Sequence, residues 1–298
     1  MSNSYGKRVR LLVVLLALGG FVFGKPAMQL FLSGSELYSH IPVVYCIIGY
    51  LLYKDRESIF VDPHSSPALG ILMLIASGSI YAYGIANQSH LGQNDFFSLT
   101  FLAAAFYLVG IALSILGTAA CRKASFSICL LLFTIPIPDF LLTKVILYLQ
   151  TLSTASTVWV MDLLRVYPIR EGFVLRLPEI SIEVAEQCSG IRSSLALVLV
   201  SLLYGHFFLR TYAGKVLLVI FSLLIAPFKN GLRITTLTLL YIHWDKRIMS
   251  GSLHTSGGIP FFLLALVMLS LAMLLLAKME RLAFRHFNPD HDQATIQS

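Results

Sequence analysis

Charge is scarce in this chain. Asp, Glu, Lys and Arg make up 12% of its 298 residues against 57% hydrophobic, and mean hydropathy is +0.79. A soluble domain carries about 25% charged residues, so a soluble globular fold is excluded and a polytopic membrane protein is expected. Acidic residues are the scarcer sign, 15 against 22 Lys and Arg, for a net charge of +7. The basic residues lie in pairs between apolar runs and gather on no single face or tail. That pattern fits the loop asymmetry of membrane proteins and implies no nucleic-acid partner. Cysteine is scarce too. Cys46, Cys121, Cys129 and Cys188 show no C-x-x-C spacing, so no disulfide framework and no zinc site is implied, and no metal or cofactor is expected. H-E-x-x-H and G-x-S-G are both missing. Asp139 and Asp162 lack the context of a paired-aspartate site. The commoner intramembrane protease chemistries are thereby set aside.

Long apolar runs are what the chain has. A span needs about 20 mostly apolar residues, and eight stretches qualify loosely: Val9 to Gly24, Leu37 to Tyr53, Ala68 to Ala86, Phe96 to Ala120, Ser125 to Leu149, Gly190 to Leu209, Val216 to His243, and Ile259 to Ala277. The N-terminus has a basic start but no small-residue cleavage site, and reads as a retained first span. Placing Lys7, Arg8 and Arg10 inside also puts Lys54 and Arg56, Arg122 and Lys123, Arg210 and Lys215, and Lys278, Arg281 and Arg285 inside. Both termini are then cytoplasmic, and the segments Gln150 to Gln187 and Trp244 to Gly257 face outside. The tail after Lys278 is short and polar, so a single integral membrane domain over residues 1–298 is expected.

Two spans are irregular. Pro136-Ile137-Pro138 breaks the fifth, since two missing N–H groups and restricted φ forbid a straight helix. The seventh contains Pro227-Phe228-Lys229-Asn230-Gly231-Leu232-Arg233, which sets charge where an insertion cost of roughly 2.5–3.5 kcal/mol per Lys or Arg demands a partner or a function. Outside the membrane, Gly172 to Val184 alternates in polarity around Pro178-Glu179 and reads as a short β-hairpin leading into Cys188. The fold expected is an all-α polytopic membrane protein of about eight transmembrane helices, with an extracytoplasmic β-hairpin before the sixth span.

Cys188 falls at the start of that sixth span. A helix N-terminus favours negative charge and lowers a thiol toward its nucleophilic thiolate, and Arg192, four residues on, adds positive charge on the same face. On this topology Arg233 and His254 also lie toward the outer side. A thiolate, an imidazole able to exchange protons and a guanidinium able to bind an oxyanion are what acyl transfer requires. Each has a plain alternative: Cys188 as a small apolar residue, Arg233 as a snorkelling anchor, His254 as a loop histidine, with His243 as its rival. A transporter with a midplane site at the broken fifth and seventh spans is the competing class, but no inverted repeat is seen and the polar residues gather toward one face.

At these residues the chain resembles the exosortase and archaeosortase family. Cys188-Ser189-Gly190-Ile191-Arg192-Ser193, then Asn230-Gly231-Leu232-Arg233, then His254 with Gly258 four residues later, look like its three signature blocks in their order and spacing, within a region from about Gly172 to Ala277. The resemblance implies a membrane-embedded cysteine transpeptidase with Cys188 as nucleophile, Arg233 as cationic partner and His254 as third catalytic residue. Arg192, Ser189 and Asn230 are then candidates for substrate or anion binding. It also implies protein substrates anchored in the lipid bilayer by a C-terminal motif such as Pro-Glu-Pro, a transmembrane helix and a basic tail. The acceptor stays open, an amine giving transpeptidation and water giving proteolysis. A bacterial inner-membrane location with the active site outside follows from the resemblance and the basic loops together.

Overall fold

The computed structural model describes residues 2–34, 36–59, 65–244 and 258–287, with the side chains of all of these but 2–9, 36, 187, 188 and 285–287. The chain forms two compact units, Met1–Leu142 and Thr143–Ser298. Among the described residues six helices are long and apolar enough to cross a membrane: Arg10–Leu32, Pro67–Ala86, Gln93–Ile115, Ile191–Phe208, Tyr212–His243 and Gly258–Phe284. Large apolar side chains such as Leu72, Leu224 and Leu275 stand exposed along them. The chain is thus a multi-pass, mostly helical membrane protein.

Among the described residues, two of the eight expected stretches do not form a single helix of spanning length, each for a physical reason. The second stretch forms a helix only from Ile41 to Lys54, 14 residues, or about 21 Å at 1.5 Å per residue against a hydrocarbon core of about 30 Å. The fifth is broken: Ser125–Thr134 and Asp139–Leu163 meet at 90°, and the pair counts as one span at most, for up to seven.

In the first unit, helix α1 (Ser2–Leu32) is followed by α2 (Ile41–Lys54), the single turn α3 (Arg56–Ile59), α4 (Pro67–Ala86), α5 (Gln93–Ile115), and the short α6 (Gly117–Lys123) and α7 (Ser125–Leu130). Helices α4 and α5 pack through small residues. A Cβ at Gly70 would lie 2.8 Å from the Gly110 carbonyl oxygen, and Ser77 Oγ donates to Ala103 O at 2.7 Å. With lipid as apolar as leucine, such close backbone approach and buried hydrogen bonding is what holds two spans together. Tyr107 ties α1 to the pair by donating to Leu15 O at 2.8 Å.

The break at Ile135 to Pro138 frees backbone groups that lipid cannot satisfy. Side chains take over. Asn94 donates to Ile137 O at 2.8 Å and to Asp139 Oδ1 at 2.7 Å, and Asp95 Oδ1 accepts from Asp139 N at 2.8 Å. Tyr38 donates to Asn94 Oδ1, and His40 Nε2 stands 3.1 Å from Phe133 O. The chain then restarts as α8 (Asp139–Leu163).

The second unit takes in most of α8, then three short strands, β1 (Ile169–Glu171), β2 (Val174–Arg176) and β3 (Ser181–Glu183), and the helices α9 (Ile191–Phe208), α10 (Tyr212–His243) and α11 (Gly258–Phe287). The strands form an antiparallel sheet in the order β1-β2-β3, one strand more than the expected hairpin and starting earlier than Gly172. Leu175 pairs with Ile182, and both are buried. Leu197 of α9, Leu218 of α10 and Leu269 of α11 share one core. At the α9–α10 turn the Glu280 carboxylate of α11 accepts from the N–H groups of Arg210 and Thr211 at 2.8 and 3.1 Å, while Thr211 caps α10 through Gly214 N.

Candidate active site

The sheet delivers the chain to the start of α9. Val184, buried behind β3, donates its N–H to Phe173 O at 2.9 Å, and its carbonyl accepts from Gln150 Nε2 of α8 at 2.5 Å. Ala185 stays extended, Glu186–Ser189 make one 3-10 turn, and Gly190 closes it with φ 76° and ψ 18° before α9 begins. An L side chain in that left-handed region is strained by roughly 1–2 kcal/mol, so glycine fits here. Gly190 O then accepts from Ser194 N, Ser193 Oγ and Ser194 Oγ, each at 2.9 Å. Cys188 therefore has its backbone in the turn that immediately precedes a helix N-terminus, where a thiolate is favoured. Its side chain, and all of His254, lie outside the described residues.

Helix α10 supplies the facing wall. Pro227 interrupts its hydrogen-bond ladder, and the next turn carries Lys229, Asn230, Gly231 and Arg233. Asn230 is 1% exposed and donates through Nδ2 to Ser153 Oγ of α8 at 3.1 Å. It also meets the turn directly, since a Cβ on Gly190 would lie 3.4 Å from Asn230 Cγ. Gly231 lets α10 and α8 approach to backbone contact: a Cβ there would stand 2.8 Å from the backbone of Ser156 and of Thr157. Thr235, one turn on, reaches toward Thr157 O at 3.4 Å. The Asn-Gly pair is thus the joint that locks the two helices beside the cysteine turn.

Lys229 is 4% exposed and donates to Ser193 Oγ of α9 at 2.6 Å. Arg233 follows one turn later on the same face of α10 and is half-buried, its Nε shielded from solvent. Ser189 is 1% exposed, and its Oγ has no hydrogen-bond partner among the described residues. Arg192 is exposed on the first turn of α9.

The sequence-derived residues therefore divide. The turn holding Cys188 and Ser189 and the Asn230–Arg233 turn come together in space through Gly190, Asn230, Ser193 and Lys229. His243, the rival histidine, sits exposed near the end of α10. Ser153 carries no signal in the sequence, Ser193 stands there only as the end of the first signature block, and Lys229 only as a costly charge. Chemically, the ammonium of Lys229 stands on Ser193 in the first turn of α9, where it adds to the positive end of that helix, an arrangement that favours an anion.

Residues 32–271, a stretch that contains all of these segments, match the family model described as transmembrane exosortase. No curated protein and no solved structure matches the chain.

Proposed function

The chain belongs to the transmembrane exosortase family, and on that premise we propose that it is a membrane-embedded cysteine transpeptidase that processes a C-terminal sorting signal. The observation that carries this reading is the convergence of Lys229, Asn230 and the start of α9 on the turn that bears Cys188. A substrate anchored by its own transmembrane helix presents a short motif, of the Pro-Glu-Pro kind, at the outer interface. Cys188 attacks a backbone carbonyl there, and the carbonyl oxygen becomes an oxyanion matched by Arg233 and the N–H groups at the start of α9. Losing one such donor costs about 2.7–4 kcal/mol of transition-state stabilisation. The tetrahedral intermediate collapses to a thioester as the C–N bond breaks, and His254 gives a proton to the leaving amine. An acceptor amine or water, deprotonated by His254, then attacks the thioester and frees Cys188. Arg192 and Ser189 bind the substrate backbone beside the nucleophile. Asn230 holds the turn in register with α10. The enzyme sits in the bacterial inner membrane with both termini in the cytoplasm and this site on the outer side. The test is co-expression with a tagged protein ending in motif, transmembrane helix and basic tail. Release of the tail dependent on the chain and on Cys188 is the expected result; conversion indifferent to the chain contradicts the reading.

A further inference from the structure

Lys229 moves no proton and meets no reacting atom in this reaction, yet among the described residues it is the only Lys, Arg, Asp or Glu that is buried. Its hydrogen-bond partner is a neutral hydroxyl, not a carboxylate. The direction of that bond is fixed by chemistry. Ser193 Oγ donates its single hydrogen to Gly190 O at 2.9 Å, so it has only lone pairs left for Lys229, whose Nζ must donate. A directed chain results, from Lys229 Nζ to Ser193 Oγ to Gly190 O, running from the middle of α10 to the residue that starts α9, two positions after Cys188. A methionine of similar length would fill the same space without burying a charge, so packing alone does not account for lysine here.

We propose that Lys229 is a positioning residue of the cysteine site: through Ser193 it pins the Gly190 turn and fixes a positive charge beside the start of α9, so that Cys188 rests as a thiolate. The inference rests on the cysteine transpeptidase reading above. The other charged groups of the segments that meet here are Glu183 on β3 and Glu186 in the turn, both exposed, Arg192 on α9, exposed, and Arg233 on α10. The α8 residues that meet α10 here include the hydroxyls Ser153, Ser156 and Thr157 and the ring of Trp159, none of them charged, and α11 carries no charged residue from Gly258 to Ala277. Lys229 is thus the buried cation of the group. Charge held beside a helix N-terminus lowers a thiol toward the ionised form by the same electrostatics that operate in reactive cysteines generally.

The experiment measures the rate of alkylation of Cys188 by a small maleimide against pH, in the full chain in membranes with Cys46, Cys121 and Cys129 replaced by alanine. This readout needs neither substrate nor turnover. The wild-type residue 229 should give a midpoint well below the roughly 8.5 of a free thiol. Lys229→Met should raise that midpoint by about one unit, which is about tenfold slower alkylation at a pH well below both midpoints, and Lys229→Arg should recover most of the difference. Ser193→Ala leaves α10 untouched and should raise the midpoint in the same direction, so the test stands even where Lys229→Met does not accumulate. An unchanged midpoint in Lys229→Met or Ser193→Ala overturns the inference while leaving the cysteine reading intact. An ordinary midpoint near 8.5 in the parent chain overturns the cysteine reading itself, and the inference with it.

Discussion

Gly231 of α10 and Ser156 of α8 meet with no room for a methyl group, since a Cβ at Gly231 would lie 2.7 Å from Ser156 Cβ and 2.8 Å from its carbonyl carbon. Backbone cannot swing aside as a side chain can. Gly231→Ala should therefore destabilise by about 1–3 kcal/mol, the usual cost of overpacking, and push α10 off the cysteine turn. Gly49→Ala is the control, because nothing lies within 4 Å of its added Cβ and alanine is the better helix former. Thermal unfolding in detergent checks both: a lower midpoint for Gly231→Ala and an equal or higher one for Gly49→Ala. Equal midpoints for Gly231→Ala and wild type would show that the helices separate freely here.

A second prediction concerns the broken span. Asn94 bridges Tyr38, Ile137 and Asp139, so Asn94→Leu keeps the branched shape but removes these three side-chain bonds and should cost about 1–3 kcal/mol. Thermal unfolding in detergent should give a lower midpoint for Asn94→Leu than for wild type; equal midpoints would contradict the bridge.

These two sites show what the sequence could reveal. Hydropathy located the apolar stretches, and Pro136 and Pro138 announced the break because proline's missing N–H is a local property. How the break is healed was not legible, because Asn94 lies 43 residues from Ile137 and only folding pairs them. At the candidate site Gly190 was visible as part of a motif, but its positive φ and its contact with Asn230 belong to tertiary structure. Lys229 was conspicuous as a charge inside an apolar run; its partner Ser193, 36 residues away, was not. The strand β1 escaped because Ile169, Arg170 and Glu171 are all exposed and so show no alternation. Gly172, expected to begin the strand region, is instead the positive-φ residue that turns β1 into β2.

Topology is tested by labelling. With every basic loop assigned inside, a cysteine placed at Ser252 in an otherwise cysteine-free chain should react with an impermeant maleimide in intact cells, and one placed near Lys123 should not. Ser252 protected and Lys123 labelled would invert the proposed orientation and put the site on the wrong side for exported substrates.

Arg233 is separated from a mere interfacial anchor by lysine. Lys keeps the charge and can snorkel, but lacks the planar fork that holds an oxyanion through two parallel hydrogen bonds. Arg233→Lys should accumulate normally and lose at least about tenfold in conversion per folded enzyme, equivalent to about 1.4 kcal/mol. Arg192→Lys, at an exposed position, should lose less. Near-wild-type conversion by Arg233→Lys would assign Arg233 to positioning by charge alone.

The central claim is a thioester on Cys188, and it is read most directly by mass spectrometry of the enzyme trapped during conversion of a tagged substrate. A covalent adduct is expected on the peptide containing Cys188, with the mass of the upstream substrate fragment, released by hydroxylamine and missing in Cys188→Ser. Serine keeps the shape but stays almost wholly protonated in a site that favours a thiolate, so Cys188→Ser and Cys188→Ala should both abolish conversion, while alanine at Cys46, Cys121 or Cys129 is tolerated. Full conversion by a normally accumulating Cys188→Ala would contradict the account.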